Sequence, residues 1–235
     1  MIEYRHYSPG DEARIVDVWN QTLPLDPITS KRFRNLVLLD GNFDPKGLRL
    51  AFEGQNLVGC VYAVRRLMPM VGTESEPENG WIPFFFVKSD YQRQGIGKRL
   101  MSEAVEFLHD QGRKQVFFAS YAPNYILPGI DESTYPAGYA FLKKMGFETQ
   151  YSPVAMDRSL VGFFIPKDVQ ELKVQRENEG YTFTKAEDAD LYELIQFANL
   201  SFNPDWGRAI REGVLAGLPM EWIFVARHHR KLVGF

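Results

Sequence analysis

The segment from Trp81 to Asp110 constrains the fold of this chain more than any other. An apolar run, WIPFFFV, ends at Val87 and predicts a buried strand. A helical pattern follows from Lys98, and Gly95 and Gly97 lie in the short connection. The first amides of a helix have no partner within the helix, and the helix dipole adds partial positive charge there. Because glycine has no Cβ that would keep an anion away, this segment predicts a phosphate-binding turn.

The connection has the spacing Gln92-x-x-Gly95-x-Gly97. This spacing resembles the acetyl-CoA signature of the GNAT superfamily of N-acetyltransferases, and Val87 and Tyr91 match the valine and the aromatic residue of the family's usual lead-in. A dinucleotide fingerprint needs G-x-G-x-x-G and a Walker loop needs Gly-Lys-Ser/Thr, and neither is present here. The resemblance implies acetyl-CoA as a co-substrate. The alternative is a tight strand-to-helix turn with solvated basic residues.

A second stretch that resembles the family lies around Gly146. The helix predicted from Tyr135 to Glu148 contains LKKMGF, which resembles the GNAT ending Leu-Tyr-Glu-Lys-Leu-Gly-Phe, with Gly146 stopping the helix and Phe147 opening a strand. The two motifs occur in the family's order. They imply a GNAT acyl-CoA N-acyltransferase fold, which is α/β (α+β with a mixed sheet), over residues 1–158.

The remaining periodicities of this domain predict the elements around its core. Strands are predicted over residues 2–7, 48–52, 57–67, 81–87 and 115–121. Helices are predicted after Asp11, with an apolar face of Ile15, Val16, Val18 and Trp19, and over residues 29–39 and 98–110. Pro83 cannot donate to a sheet ladder, so it predicts a bulge or an edge. In GNAT folds a bulged fourth strand opens a slot for pantetheine.

Residues 180–235 repeat the opening of the chain. Leu48–Ala51 with Leu57–Cys60 aligns without a gap onto Ile223–Ala226 with Leu232–Phe235. An internal repeat indicates a duplicated unit. This one predicts a partial second GNAT-like repeat, as in tandem GNAT proteins.

A linker over residues 159–179 is predicted to join the two repeats. The second repeat is a half-sheet with unpaired edges. Either the chain is a fragment of a longer protein, or the half-domain is covered by the first domain or by a second subunit of a homodimer.

The resemblance also assigns the residues that contact acetyl-CoA. The backbone near Phe86 and Val87 is expected to face the acetyl group and pantetheine. The pyrophosphate is expected on the backbone of seven consecutive residues, Gln92, Arg93, Gln94, Gly95, Ile96, Gly97 and Lys98. The side chain of Arg93, Lys98 or Arg99 could approach the phosphates, and each is explained equally well as a solvated charge.

The catalytic acid is where the chain departs from the family. The family's tyrosine, four residues before the helix-ending glycine, falls on Leu142, which cannot give a proton to the departing thiolate. The family's asparagine falls on Tyr135, and Tyr139 lies on roughly the same helix face as Leu142. We expect Tyr139 or Tyr135 to be a displaced acid; the alternative is that both tyrosines only pack or line the substrate. No general base is clear, because WIPFFFV contains no carboxylate. Glu76, Glu78, Asp131 and Glu132 are candidates for a base that acts through water, and the favoured alternative is that each is an ordinary solvated loop acid.

The insertion at residues 122–134 separates the two family motifs. It is rich in tyrosine, proline and glycine, and irregular segments of this kind are often binding loops. It lies where GNAT acceptors commonly approach. Tyr121, Tyr125 and Asp131 are therefore candidate acceptor-pocket residues.

The composition of the chain excludes several kinds of partner and site. The net charge of −3 does not support a generally basic nucleic-acid surface, and the single cysteine, Cys60, excludes an internal disulfide framework and cysteine-based zinc sites. No stretch has the length of a membrane span or a signal region, so a cytoplasmic location, no membrane and no metal are expected. The sequence predicts an acetyl-CoA-dependent N-acetyltransferase of small primary amines, by direct attack. The alternative is a non-catalytic GNAT scaffold that binds CoA or another ligand.

Overall fold

The computed structural model describes residues 1–70, 74–122, 124–154, 156 and 158–235. The chain divides into two compact units. The first comprises Met1–Pro69 and Ser75–Pro153, and the second comprises Val154–Phe235 with Met70–Glu74. Each unit has its own hydrophobic core. No helix within the described residues is long and apolar enough to cross a bilayer.

The first unit is built on one five-stranded mixed sheet in the order β1-β2-β3-β4-β5. The strands are β1 (Ile2–His6), β2 (Leu48–Glu53), β3 (Asn56–Val64), β4 (Asn79–Val87) and β5 (Gln115–Phe118). Neighbouring strands are antiparallel except β4 and β5, which are parallel. The strand predicted over residues 57–67 is shorter in the structure, since β3 ends at Val64. The amides of Leu67 and Met68 donate to the side chain of Asn42 instead of to a neighbouring strand.

Helices cover both faces of this sheet. They are α1 (Glu12–Thr22), α2 (Ser30–Phe33), which continues as a π-helical segment (Arg34–Leu38), α3 (Ile96–Asp110) and α4 (Pro136–Lys144). The predicted apolar face of α1 is confirmed, since all four of its residues are buried. Side chains alternate between the faces of a strand. Accordingly, Phe84 and Phe86 of β4 pack in the core that holds α1, and Phe85 and Val87 pack in the core that holds α3.

The bulge predicted at Pro83 is confirmed. Val64 pairs with Trp81 and Tyr62 pairs with Phe84, so two residues of β4 stand opposite one residue of β3. Proline fits this position because the extra residue of a bulge need not donate to the ladder. The bulge also changes which β4 residues direct their backbone groups toward β3.

Two predicted strand segments are wrong. β5 stops at Phe118 because Ala119 and Ser120 both have positive φ, at 57° and 48°, which turns the chain away from β4. No strand occurs over the described residues 147–154. The Phe147 amide instead donates back to the Leu142 carbonyl at 3.1 Å, which closes the helix end.

The second unit has a three-stranded antiparallel sheet, β6 (Tyr181–Lys185), β7 (Phe224–His228) and β8 (Lys231–Gly234), in that order. Its helices are α5 (Lys167–Asn178), α6 (Leu191–Ser201) and α7 (Pro204–Leu215). The element order after α5 matches β1-α1-α2-β2-β3 of the first unit. The register shift after Ala51 in the β2–β3 pair recurs after Ala226 in the β7–β8 pair, at the position that the sequence alignment makes equivalent.

Candidate acetyl-CoA site

The turn between β4 and α3 presents a row of free backbone amides. Gly95 caps α3 in the left-handed conformation at φ 85°, and Arg93 also has positive φ, at 58°. Among the described residues, the amides of residues 93–98 donate to no acceptor. A non-glycine residue held at positive φ stores strain of about 1–3 kcal/mol, and such positions cluster at functional sites. The start of the 15-residue helix α3 therefore has the geometry of an anion site.

Two glutamine side chains hold this turn in place. The Nε2 group of Gln92 donates to the Val87 carbonyl at 3.0 Å, and that of Gln94 donates to the Asp90 carbonyl at 2.9 Å. The first bond ties the turn to the end of β4. These side chains fix the backbone of the turn. The Gln92 amide itself donates to the Ser89 carbonyl at 3.2 Å, so among the described residues of the predicted Gln92–Lys98 segment the free amides are those of residues 93–98.

The glycines of the turn differ in what surrounds them. A Cβ added at Gly95 would meet nothing within 4 Å, so its positive φ is what favours glycine and the space beside it is open. A Cβ at Gly97 would lie 3.5 Å from Val87 and 3.9 Å from Phe141, which are ordinary contacts. The Gly95 side of the turn is therefore the side that a phosphate can reach.

The basic residues around the turn are not equivalent. Arg99 is engaged, because it pairs with Glu103 at 3.0 Å and its guanidinium lies 3.9 Å from the ring centre of Tyr4. Arg93 and Lys98 are exposed and have no ion-pair partner among the described residues. Arg93 and Lys98 are therefore available to contact a phosphate, whereas Arg99 already has structural contacts.

β4 and β5 are paired only as far as Ile82 and Phe118, and we call the region beyond, between residues 84–87 and residues 119–122, the slot. Among the described residues, the last backbone hydrogen bond between these two segments runs from the Ala119 amide to the Ile82 carbonyl, at 2.9 Å. The Lys88 amide donates to Val58 on β3 at 2.9 Å, and alternate residues of an antiparallel strand face the same neighbour. Phe84 and Phe86 therefore direct their backbone groups toward β3, and Phe85 and Val87 direct theirs into the slot.

This geometry corrects one predicted contact. Phe86 of β4 pairs with Cys60 of β3, so the Phe86 amide faces β3 and not the slot. The sequence missed Phe85 because the bulge at Pro83 shifts the alternation by one residue. The ring of Phe85 lies 5.3 Å from that of Phe141 on α4 and 5.9 Å from that of Phe118 on β5, and this aromatic group forms the α3-side wall of the slot.

Of the two candidate acids, Tyr139 lies on α4 and Tyr135 immediately precedes it, and their hydroxyls have different partners. The Tyr135 hydroxyl donates to the Asp26 carboxylate at 2.6 Å, and burial together with this bond raises the pKa of Tyr135. The Tyr139 hydroxyl is 3.4 Å from the Thr149 hydroxyl. Leu142, at the family's tyrosine position, is buried in the core. The Tyr135 hydroxyl proton is thus held in a hydrogen bond to a carboxylate, whereas the contact of the Tyr139 hydroxyl is a longer one to another hydroxyl.

The three candidate acceptor residues are not brought together in one environment. Tyr121 is fully buried and its hydroxyl accepts a hydrogen bond from Asn42 at 2.8 Å. Tyr125 is exposed. Asp131 is exposed and caps its own turn; bonds from Ser133 and Thr134 lower the pKa of its carboxyl to about 2, which makes it a poor base.

Two of the four candidate loop bases are engaged in ion pairs. Glu76 pairs with Arg66, and Glu78 pairs with Lys114. Sequence reasoning missed a different carboxylate, Asp40, which is buried beside Tyr121. A lone aspartate after a helix carries no sequence signal, because its partners come from β3 and from the segment after β5. Among the described residues, no group of three or more His, Cys, Asp or Glu could hold a metal ion.

The model of the family described as "Acetyltransferase (GNAT) family" matches residues 14–147, more than half of the chain. The chain belongs to the GNAT family. The matched region contains β2 to β5, the glycine turn and α4, which are the elements that form the slot. The GNAT fold inferred from the two motifs is thereby confirmed.

Two relatives extend this comparison. The uncharacterized N-acetyltransferase YuaI of Bacillus subtilis (strain 168) is 26% identical over 112 residues, which are 46% of this chain and 62% of that protein. A GCN5-related glucosamine N-acetyltransferase region of a fungal multidomain β-N-acetylglucosaminidase is 20% identical, with a TM-score of 0.73 over 99% of this chain and 27% of that one. The chain therefore spans less than two thirds of either relative, and the second likeness shows the fold alone.

Proposed function

We propose that this GNAT chain binds acetyl-CoA on the Gln92–Lys98 turn and transfers its acetyl group to a primary amine of a small molecule by direct attack. The observation that carries this proposal is the row of free amides at residues 93–98 beside the open Gly95. Charge-assisted bonds from backbone amides to an anion are strong and need no side-chain rearrangement. Arg93 and Lys98 add positive charge at the same end of α3.

The backbone of β4 has the second role in this proposal. The amides of Phe85 and Val87 face the slot, and an amide fixed in a strand can donate to an oxygen as negative charge develops on it. The Val87 carbonyl is held by Gln92, so the end of the strand is tied to the phosphate-binding turn. Binding of the phosphates and orientation of the thioester are then linked through one residue.

Tyr139 is the better of the two candidate acids. Its hydroxyl keeps a weak contact to Thr149, whereas the Tyr135 proton is held by Asp26. The variants Tyr139→Phe and Tyr135→Phe, made singly and together, test this. Replacing the tyrosine that supplies the proton should lower kcat more than about tenfold. A smaller loss in the double variant would mean that neither tyrosine supplies the proton.

The proposal is tested by titrating the purified chain with acetyl-CoA and by following thiol release with a panel of amines. The panel contains hexosamines, aminoglycosides, polyamines and amino acids; glucosamine is included because the fungal GNAT region is named for it. Micromolar binding with amine-dependent thiol release would support an acetyltransferase. Binding without turnover would support the second candidate, a non-catalytic CoA-binding scaffold, which the buried Leu142 at the family's tyrosine position favours.

We also propose that residues 180–235 are a partial second GNAT-like repeat, with residues 1–158 as the acetyltransferase domain. The shared strand order and the shared register shift support this. The region 159–179 contains the exposed helix α5. A second subunit in a homodimer would cover the open edges of this half-domain. Light scattering at micromolar concentration tests this, and a monomer would count against the homodimer.

A further inference from the structure

A buried polar cluster lies under the apex of the slot, on the face of the sheet opposite α3. Tyr62 on β3 pairs with Phe84, the first residue after the bulge, and their rings are 5.6 Å apart. Tyr121 lies three residues beyond the end of β5, with its ring 5.5 Å from that of Trp81. The two tyrosines thus flank the point at which β4 and β5 separate.

Asp40 lies beside both tyrosines and is only 8% exposed. One of its oxygens, Oδ1, accepts the Asn42 amide at 3.0 Å. Burial raises the pKa of Tyr62 and of Tyr121, and the nearby Asp40 charge raises both pKa values further. A hydrogen bond between the Tyr121 hydroxyl and the Asp40 carboxylate adds to the rise in the pKa of Tyr121. The carboxylate is therefore close to two phenols.

Two atoms of this cluster have no hydrogen-bond partner in the described part of the chain: Asp40 Oδ2 and Tyr62 Oη. Buried polar atoms are rarely left unpaired, and a buried carboxylate without a cation is especially unfavourable. The nearby Arg66 does not supply that cation, because it pairs with Glu76 and donates to the Ala122 carbonyl at 2.7 Å. A water molecule would satisfy the hydrogen bonds and leave the charge uncompensated.

We propose that Asp40 Oδ2 and Tyr62 Oη bind the amino group of the acceptor as an ammonium ion, and that Asp40 takes its first proton. This rests on the proposed acetyl transfer. The site suits a primary amine, because an ammonium ion has a donor for each of the two atoms and also supplies the positive charge that a water molecule lacks. A dry, aromatic surrounding disfavours the separated charges and so favours proton transfer from ammonium to carboxylate.

The step balances without a further reactant. The ammonium gives one proton to Asp40, and the freed nitrogen lone pair forms the C–N bond with the acetyl carbon. The C–S bond breaks with its electron pair on sulfur, which takes the hydroxyl proton of Tyr139, and the second nitrogen proton replaces that proton on Tyr139. Asp40 returns its proton to solvent after the product leaves.

The test compares Asp40→Asn with the parent chain, using the amine that gives the fastest thiol release. At neutral pH we expect kcat/KM for the amine to fall more than about a hundredfold, with acetyl-CoA affinity within about threefold of the parent. The melting temperature should stay the same or rise, because the variant removes a buried charge and keeps the Oδ1 acceptor. Tyr62→Phe, which removes one oxygen from a buried ring, should raise the amine KM and leave acetyl-CoA binding unchanged.

The pH profile distinguishes this role from a structural one. In the parent, kcat/KM should be flat from neutral pH up to the pKa of the amine, because the reactive complex holds the ammonium and the carboxylate. In Asp40→Asn it should rise about tenfold per pH unit up to the amine pKa, since only the neutral amine can then react. The other titratable or charged groups around the tyrosines, Asp44 and Arg66, are both ion-paired.

Each outcome decides the matter. Asp40→Asn with kcat/KM within about threefold of the parent, or with the parent's flat profile, would overturn this inference and leave the acetyltransferase proposal intact. A variant that loses melting temperature and acetyl-CoA affinity together would show a structural role for Asp40. A parent chain that releases no thiol with any amine would overturn both proposals.

Discussion

The two glycines of the α3 turn form a matched pair for testing where acetyl-CoA binds. Gly95→Ala places a methyl group in the open space beside the free amides and forces a non-glycine residue to φ 85°. Gly97→Ala places the same methyl group against Val87 and Phe141, inside the protein. The two variants carry the same added atom, two residues apart, on different sides of the turn.

The expected changes in the free energy of unfolding have opposite signs. Left-handed φ costs alanine about 1–2 kcal/mol. The smaller conformational entropy of its unfolded state offsets about 0.4–1 kcal/mol of that cost. Gly95→Ala should therefore destabilise the apoprotein by about 1 kcal/mol. Gly97→Ala, within the first turn of α3, should stabilise it by about 0.5–1 kcal/mol, because alanine favours helix.

The effect on ligand affinity should be larger and confined to one variant. Each charge-assisted hydrogen bond is worth about 1.5–3 kcal/mol, so displacing the pyrophosphate from one amide costs at least about tenfold in Kd. Isothermal titration with acetyl-CoA should show this loss for Gly95→Ala and near-parental affinity for Gly97→Ala. Equal losses in both variants, or full affinity in Gly95→Ala, would refute the assignment of the phosphates to the Gly95 side.

Three further predictions concern the same site and its surroundings. The double variant Arg93→Ala, Lys98→Ala should weaken acetyl-CoA binding about tenfold at low salt and less at high salt, whereas Arg99→Ala should leave Kd unchanged; titration at two salt concentrations checks both. Gln92→Met removes the donor to the Val87 carbonyl and should raise the Kd of acetyl-CoA about threefold to tenfold, with parental affinity counting against a bracing role. Asp131 has a lowered pKa, so its stabilisation is present above its unfolded value and lost as pH falls through about 2; the melting-temperature difference between the parent and Asp131→Ala should vanish there, and a difference that persists below that pH would contradict the pKa.

The elements that follow local pattern were predictable from the sequence. The α1 face has an unambiguous helical period, and Pro83 marks the bulge because a missing amide is a local property. The glycine turn is likewise local, since its chemistry lies within Gln92–Lys98. These features needed no knowledge of which strands pair.

The features that were missed depend on distant parts of the chain. Phe85 faces the slot only because the bulge shifts the strand alternation, and β5 ends early because of the conformation of Ala119 and Ser120, which their types do not favour. Asp40 becomes a candidate only when β3 and the segment after β5 bring Tyr62 and Tyr121 beside it. No local rule links an aspartate at the end of a helix to tyrosines on two other elements.

The most direct test of the acetyltransferase account is thiol release from acetyl-CoA with the amine panel, with the product identified by mass. The account predicts amine-dependent release, a product carrying one added acetyl group on nitrogen, and slower release by Gly95→Ala when acetyl-CoA is below its Kd. Tight binding of acetyl-CoA with no amine-dependent release across the panel would contradict it and leave a GNAT scaffold that binds CoA without turning it over.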